Sequence, residues 1–140
     1  MTTPETVHNA MLDAWNRRDF ETMRALLHPQ YTYTGGDGKE LPGGPDTGVA
    51  VAKSYAAALP DGRAEVRSTF VHGNTAICEF RVRGTHQGEL MGVSASNKPV
   101  DITVCNIIEL RDGQVYQERE YVDGAAILTQ IGALGSVGHP

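Results

Sequence analysis

Apolar positions in the first part of the chain recur at helical spacing, with Val7, Ala10, Met11, Ala14 and Trp15 on one stripe. Thr2 or Thr3 supplies the cap ahead of it and Pro4 the first helical position, where a missing N–H costs nothing. Asp19 caps a second, short helix with Phe20, Met23, Leu26 and Leu27 facing inward; His28-Pro29 ends it, because the residue before a proline avoids the α region. Residues 31–34 read as a brief strand. The Gly/Pro-rich stretch 35–46, G-G-D-G-K-E-L-P-G-G-P-D, is longer than most connections and is a candidate mouth for a pocket. Asp46 or Thr47 then opens a third helix carrying Val49, Ala52, Tyr55, Ala56 and Leu59, stopped at Pro60-Asp61-Gly62.

Beyond residue 62 the period shortens to two. Strands are predicted over 64–72, 74–87, 100–110 and 114–123, joined by Gly73-Asn74, by the polar stretch 92–99 and by Asp112-Gly113; an apolar helix follows over 125–134. Asp-Gly between two strand-like runs is a strong hairpin signal, since a primed turn needs φ > 0. Short links between consecutive strands make an antiparallel meander, so the class is α+β, with the helices on one face of a curved sheet. In the last strand Val115, Gln117, Arg119, Tyr121 and Asp123 share a face by alternation, which aims Asp123 inward with Val115.

At 140 residues the chain suits one domain with a core large enough to hold a pocket, and the tail 135–140 is expected to fray. A net charge of −5 with scattered basic residues argues against nucleic acid. Cys78 and Cys105 are too few for a disulfide framework and read as core thiols of a reducing cytoplasm. The opening M-T-T-P-E-T-V-H has no basic start and no apolar run of signal length, and nowhere are there 18 consecutive apolar residues, so neither export nor a membrane partner is expected.

Three segments carry a family resemblance: G-T-H-Q-G-E-L-M-G at 84–92, R-D-G-Q-V-Y-Q-E-R-E-Y-V-D at 111–123, and D-G-A-A-I-L-T-Q-I-G at 123–132. With the early W-N-R-R-D-F segment they resemble the SnoaL-like polyketide cyclases, within the nuclear transport factor 2-like and ketosteroid isomerase-like superfamily, over residues 5 to 134. The resemblance implies a cone-shaped antiparallel sheet with three N-terminal helices on its concave face and a short C-terminal helix. It also implies a cofactor-free aldol-type cyclase, with His86 and Asp123 facing the cavity and Asp123 as acid/base. Gln117, Arg119 and Thr34 depart from the family's usual residues, which points to a changed substrate. The aspartate that ketosteroid isomerases use as base is absent at the Thr34 place.

Residue chemistry sharpens this list. Asp123, if desolvated at the sheet's open end, suits general acid/base work, and it is equally suited to capping the last helix. His86, in phase with Phe80, Val82 and Gly84, hydrogen-bonds either Asp123 or a substrate carbonyl, or else is a satisfied core residue. Arg119 clamps an anionic substrate oxygen or closes a structural pair. Asn106 interrupts an apolar face between Val104 and Ile108, orienting a ligand carbonyl or satisfying the backbone. Trp15 and Tyr33, with Tyr31 and Tyr55, line an apolar cavity, and Tyr121 flanks Asp123. The five histidines have no metal-ligating spacing, and no phosphate loop, dinucleotide motif or G-x-S-x-G elbow occurs, so neither metal nor cofactor is expected. The expected partners are a small lipophilic substrate and, through apolar residues on the outer sheet face, a second copy in a homodimer. The competing readings are another cofactor-free isomerase, lyase or hydrolase acting on a lipophilic carbonyl substrate, and a non-catalytic ligand-binding or association module.

Overall fold

The computed structural model describes residues 2–134. Helix α1 (Pro4–Asn16) starts from a capping box in which Thr3 and Thr6 each accept the other's backbone N–H, at 3.1 and 2.9 Å. Helix α2 (Phe20–Ala25) is capped by Asp19, which accepts from the Thr22 N–H at 3.1 Å. Strand β1 (Leu27–Thr34) and the two-residue β2 (Glu40–Leu41) come next, then α3 (Pro45–Ala58). The long strands are β3 (Arg63–His72), β4 (Thr75–Thr85), β5 (Pro99–Arg111) and β6 (Gln114–Val122), and α4 (Gly124–Gln130) closes the chain. The Asp112-Gly113 hairpin turn has φ of 55° and 76°, as a primed turn requires.

The class is α+β, as the pattern implied, and the sheet is a single curved, unclosed layer in the order β2-β1-β6-β5-β4-β3. Its strands are not all antiparallel. β1 runs parallel to β6, pairing Tyr33 with Glu118 and Thr34 with Arg119, so the sheet is mixed. Local periodicity marks a strand and says nothing of its partner, and β1 finds β6 only after the whole intervening chain has folded. β1 also begins at Leu27, so Leu27 and His28 belong to the sheet and not to the end of α2. Helix α3 is capped at Gly44, whose φ of 60° suits glycine, and not at Asp46 or Thr47.

A second difference concerns phase. In the β5–β6 ladder Glu109 faces Gln117 while Leu110 faces Val115, leaving Tyr116 without a partner. This one-residue bulge turns the rest of β6 over. Val115 is inward before it; Glu118 and Glu120 are inward after it, and Gln117, Arg119 and Tyr121 lie on the outer face.

Apolar burial gathers in two groups on the concave side. One joins Trp15, Leu59, Phe80, Val100, Ile102 and Val104 to Ile127 and Ile131 of the C-terminal segment. The other joins Val7, Met11, Leu27, Tyr31, Ile108, Leu110 and Val115. The Arg18 guanidinium stacks 4.1 Å over the Trp15 ring and donates to the carbonyls of Leu59, Pro60 and Gly62, fastening the end of α1 to the end of α3. Cys78 is buried and free, its thiol pushed up to about 11 by burial, and Cys105 is half-buried. The expected fraying of 135–140 lies outside the described residues.

Candidate active site

Between the helices and the concave face lies a cavity of about 90 Å³, measured as space open to the centre of a water molecule. Its walls are apolar, with Met11 and Trp15 from α1, Ala52 from α3, Phe80 from β4, and Ile102 and Val104 from β5. Trp15 is held by its indole N–H, which donates to the Ala52 carbonyl at 3.0 Å. A few polar side chains converge on this apolar space: His8, Tyr31, Tyr33, Tyr55, Asn106, Glu118 and Glu120.

At the inner end Glu118 accepts from the Tyr31 hydroxyl at 2.5 Å and from the Asn106 amide at 2.8 Å, and that amide also reaches His8 Nε2 at 3.2 Å. Burial pushes the Glu118 carboxyl above the usual range and outweighs these two hydrogen bonds, which favour the charged form. Burial likewise lowers His8 to about 4, so its ring is neutral at pH 7. At the outer end Glu120 accepts from the Tyr33 hydroxyl at 2.9 Å and has the Tyr55 hydroxyl beside it. Its carboxyl is raised to about 7, first by burial and then by the neighbouring Glu118. Burial and these carboxylates push all three tyrosines above the ordinary phenol range, so they are donors and not bases.

Tyr33, Tyr55 and Glu120 also border a shallower hollow of about 280 Å³ formed with Gly35, Gly36, Asp37, Lys39 and Leu41. They stand at the neck between this groove and the inner cavity. The Gly-rich loop 35–41 is thus at a mouth, and the side chain guarding the neck is a carboxyl poised between its two protonation states at neutral pH. Among the described residues no group of three or more His, Cys, Asp or Glu is placed to hold a metal ion.

The residues singled out from sequence divide. Asn106, Trp15 and Tyr33 line the cavity, as do Tyr31 and Tyr55. Asp123 does not: it is exposed beyond the end of β6, and its carboxylate accepts from the Ala126 N–H at 3.0 Å as the cap of α4. The bulge at Tyr116 is the reason, since it removes Asp123 from the inward phase. Arg119 and Tyr121 are on the outer face for the same reason, and Tyr121 is 43% exposed.

His86 is fully buried but outside the cavity. Its Nδ1 accepts from the Ser96 N–H at 3.1 Å, which leaves the proton on Nε2, 3.2 Å from the Val93 carbonyl. It thereby organises the 86–98 loop. The rest of G-T-H-Q-G does similar work: Thr85 donates its N–H and hydroxyl to Asp61 at 2.7 and 2.8 Å, and the Gln87 N–H donates to Ala58 at 3.0 Å. A side chain at Gly88 would meet the Ala57 carbonyl oxygen at 2.2 Å, and one at Gly84 would meet Gly62 Cα at 2.9 Å. The motif clasps the end of α3 to the sheet.

Sequence reasoning passed over Glu118, Glu120 and His8. His8 was legible, for it shares a helix face with Met11 and Trp15 at i+3 and i+7. The two glutamates are in phase with each other, but only the bulge turns them inward.

Solved structures share the architecture at low identity. AclR from Streptomyces galilaeus, provisionally named a hydroxylase, superposes with a TM-score of 0.84 at 24% identity, covering 96% of this chain and 83% of its own. IdmH from Streptomyces antibioticus, provisionally named a polyketide cyclase, gives 0.80 at 26% identity, covering 92% of this chain and 98% of its own. A protein from Jannaschia sp. CCS1, provisionally named a SnoaL-like polyketide cyclase, gives 0.85 at 22%, covering 93% and 92%. A search of curated proteins finds no match. The model of the SnoaL-like polyketide cyclases matches residues 5–131, nearly the whole chain, and the protein belongs to that family.

Proposed function

We propose that the protein is a cofactor-independent acid/base enzyme acting beside a carbonyl of a lipophilic, polyketide-derived substrate, and that its reaction is an aldol-type ring closure. The carrying observation is Glu120: a carboxyl raised to about 7, at the neck of an apolar cavity, with two tyrosine hydroxyls beside it. A general base works best with a pKa near the operating pH. As carboxylate, Glu120 takes a proton from the carbon next to a carbonyl, and the electron pair moves onto that carbonyl oxygen as an enolate. The enolate carbon attacks a second carbonyl of the same chain, forming the ring bond, and the new alkoxide recovers the proton from Glu120. Substrate and product contain the same atoms. Tyr33 and Tyr55, donors to the Glu120 carboxylate, are free to donate to the enolate once that carboxylate is protonated. Family membership supports this class of chemistry, and the apolar walls suit a folded aromatic chain.

Deuterium exchange next to the carbonyl of 1-tetralone, followed by NMR, tests the proton-transfer step without knowledge of the natural substrate. In the native protein the rate rises as pH climbs through about 7 and then levels, because the carboxylate is the base. Glu120→Gln lowers it on the order of 10²–10⁴-fold. A folded Glu120→Gln variant exchanging at the native rate overturns the assignment and favours a binding module.

A further inference from the structure

Glu118 and Glu120 are same-face neighbours on β6, since the bulge at Tyr116 precedes both, and both line the inner cavity. Residues two apart on one face of a strand lie about 6–7 Å from each other, within the range at which like charges in an apolar surrounding repel strongly. No cation offsets that repulsion inside the cavity, whose lining among the described residues contains no Lys or Arg. The groups facing the pair are Tyr33 from β1 and Tyr55 from α3 on Glu120, Tyr31 from β1 and Asn106 from β5 on Glu118, and the neutral His8 of α1 behind Asn106. Lys39 and Asp37, opposite in charge, border the outer groove and not the inner cavity. The two carboxyls are held differently. Glu118 is 7% exposed, and each of its oxygens has its own donor, Oε1 the Tyr31 hydroxyl at 2.5 Å and Oε2 the Asn106 amide at 2.8 Å. Glu120 has a longer bond, from Tyr33 at 2.9 Å, and stands at the neck. Two close, fixed donors favour the charged form at Glu118, so the proton of the pair stays with Glu120.

We propose that Glu118 is a positioning residue for the proton transfer: its fixed negative charge, acting along the strand on Glu120, makes the outer carboxylate a stronger base than burial and hydrogen bonds alone would leave it. The inference rests on Glu120 being the base, and it needs no contact between Glu118 and substrate. With both groups ionised, the pair holds two like charges side by side. When Glu120 takes the proton from the carbon next to the carbonyl, one of these charges passes to the enolate oxygen of the substrate, and the repulsion between the carboxyls ends. A lone carboxyl at the neck, with the Tyr33 and Tyr55 hydroxyls donating to it, would lack that gain. The rise of the Glu120 carboxyl to about 7, with Glu118 as its second cause after burial, has the sense this requires.

Carbon-13 NMR titration of the glutamate carboxyls, beside the pH profile of tetralone exchange, decides it. The Glu120 signal is the one missing in Glu120→Gln, and in the native protein it titrates near 7. In Glu118→Gln its midpoint falls by at least about one pH unit, the size expected for a like charge about 7 Å away at an effective dielectric constant of about 20. The rising limb of the exchange rate moves down with it, while the plateau falls no more than about tenfold, because a weaker base is still in place. That variant keeps the network: the new amide accepts from Asn106 through its oxygen and donates through its nitrogen to Tyr31, whose hydroxyl turns to accept. Tyr31→Phe leaves both carboxyls and takes one donor from Glu118, which then holds its charge less well, so the Glu120 midpoint and the limb move the same way. This second variant carries the comparison should Glu118→Gln not fold. An unmoved midpoint in folded Glu118→Gln overturns the inference even if the rate falls, since a merely structural residue changes the rate and not the titration. Exchange lost in Glu120→Gln together with that unmoved midpoint overturns the role of Glu118 alone and leaves the base standing. Exchange that survives Glu120→Gln removes the base, and the role of Glu118 falls with it whatever the midpoint does.

Discussion

Glu120 and His8 line one cavity and pull stability in opposite directions with pH. The Glu120 carboxyl goes from 4.5 to about 7 in the fold, so its contribution is whole below 4.5 and is lost as pH rises through 7. His8 goes from 6.5 to about 4, so its contribution is whole above 6.5 and is lost as pH falls through 4. Between 4.5 and 6.5 the two slopes oppose each other. At about 1.4 kcal/mol per pH unit, the buried His8 accounts for up to about 3 kcal/mol; Glu120, partly open at the neck, accounts for less. Urea denaturation across pH is the check. Glu120→Gln gains stability over the native protein above about pH 7 and none near 4.5, whereas His8→Leu gains toward low pH. Stability differences from native that do not change with pH would refute both assignments.

At the level of elements, what a strand or helix is made of was legible, and how it is registered was not. The helical stripe of α1, the short α2 and the Asp112-Gly113 hairpin all announce themselves by spacing or turn chemistry. The bulge in β6 leaves no such mark, because Val115, Tyr116 and Gln117 continue an ordinary strand pattern. One unpaired residue moves Asp123 from expected base to helix cap and brings two glutamates into the cavity. The G-T-H-Q-G segment misleads differently: its glycines are set by close approach to α3 and the 60–62 turn, and its histidine by a loop, all of which are tertiary facts. These placements fix the outcome at Asp123. Asp123→Asn still caps α4 and should keep both stability and exchange rate; Asp123→Ala should cost about 1 kcal/mol of stability with the rate retained. A loss of more than about tenfold in rate in a folded Asp123→Asn variant, measured by the same tetralone exchange, would return the catalytic role to that residue.

For the molecule as a whole, the sheet has two faces and the helices cover one. Rows of the ladder alternate between them. Cys78, Asn106 and Glu120 face the helices, and the next row, Phe70, Ile77, Ile107 and Arg119, faces away across four strands. Phe70 is 67% exposed and Ile77 43%, with Tyr121 one row further at 43%. An apolar strip of this kind, spread over adjacent strands, marks an association surface more often than a solvated one. Its surroundings carry both signs of charge, Arg81 and Arg119 beside Glu79 and Glu109, which suits a surface meeting a copy of itself about a two-fold axis. We therefore expect a homodimer joined through the outer sheet face, with each cavity on the far side of its own sheet and complete within one chain. Light scattering at tens of micromolar should give twice the chain mass for the native protein. Phe70→Glu, which puts a charge in the exposed apolar strip of each copy, should give a folded monomer that keeps its exchange rate. A native monomer at that concentration would remove the dimer; a Phe70→Glu monomer that folds but loses activity would show that the sheet face supports the site as well as the assembly.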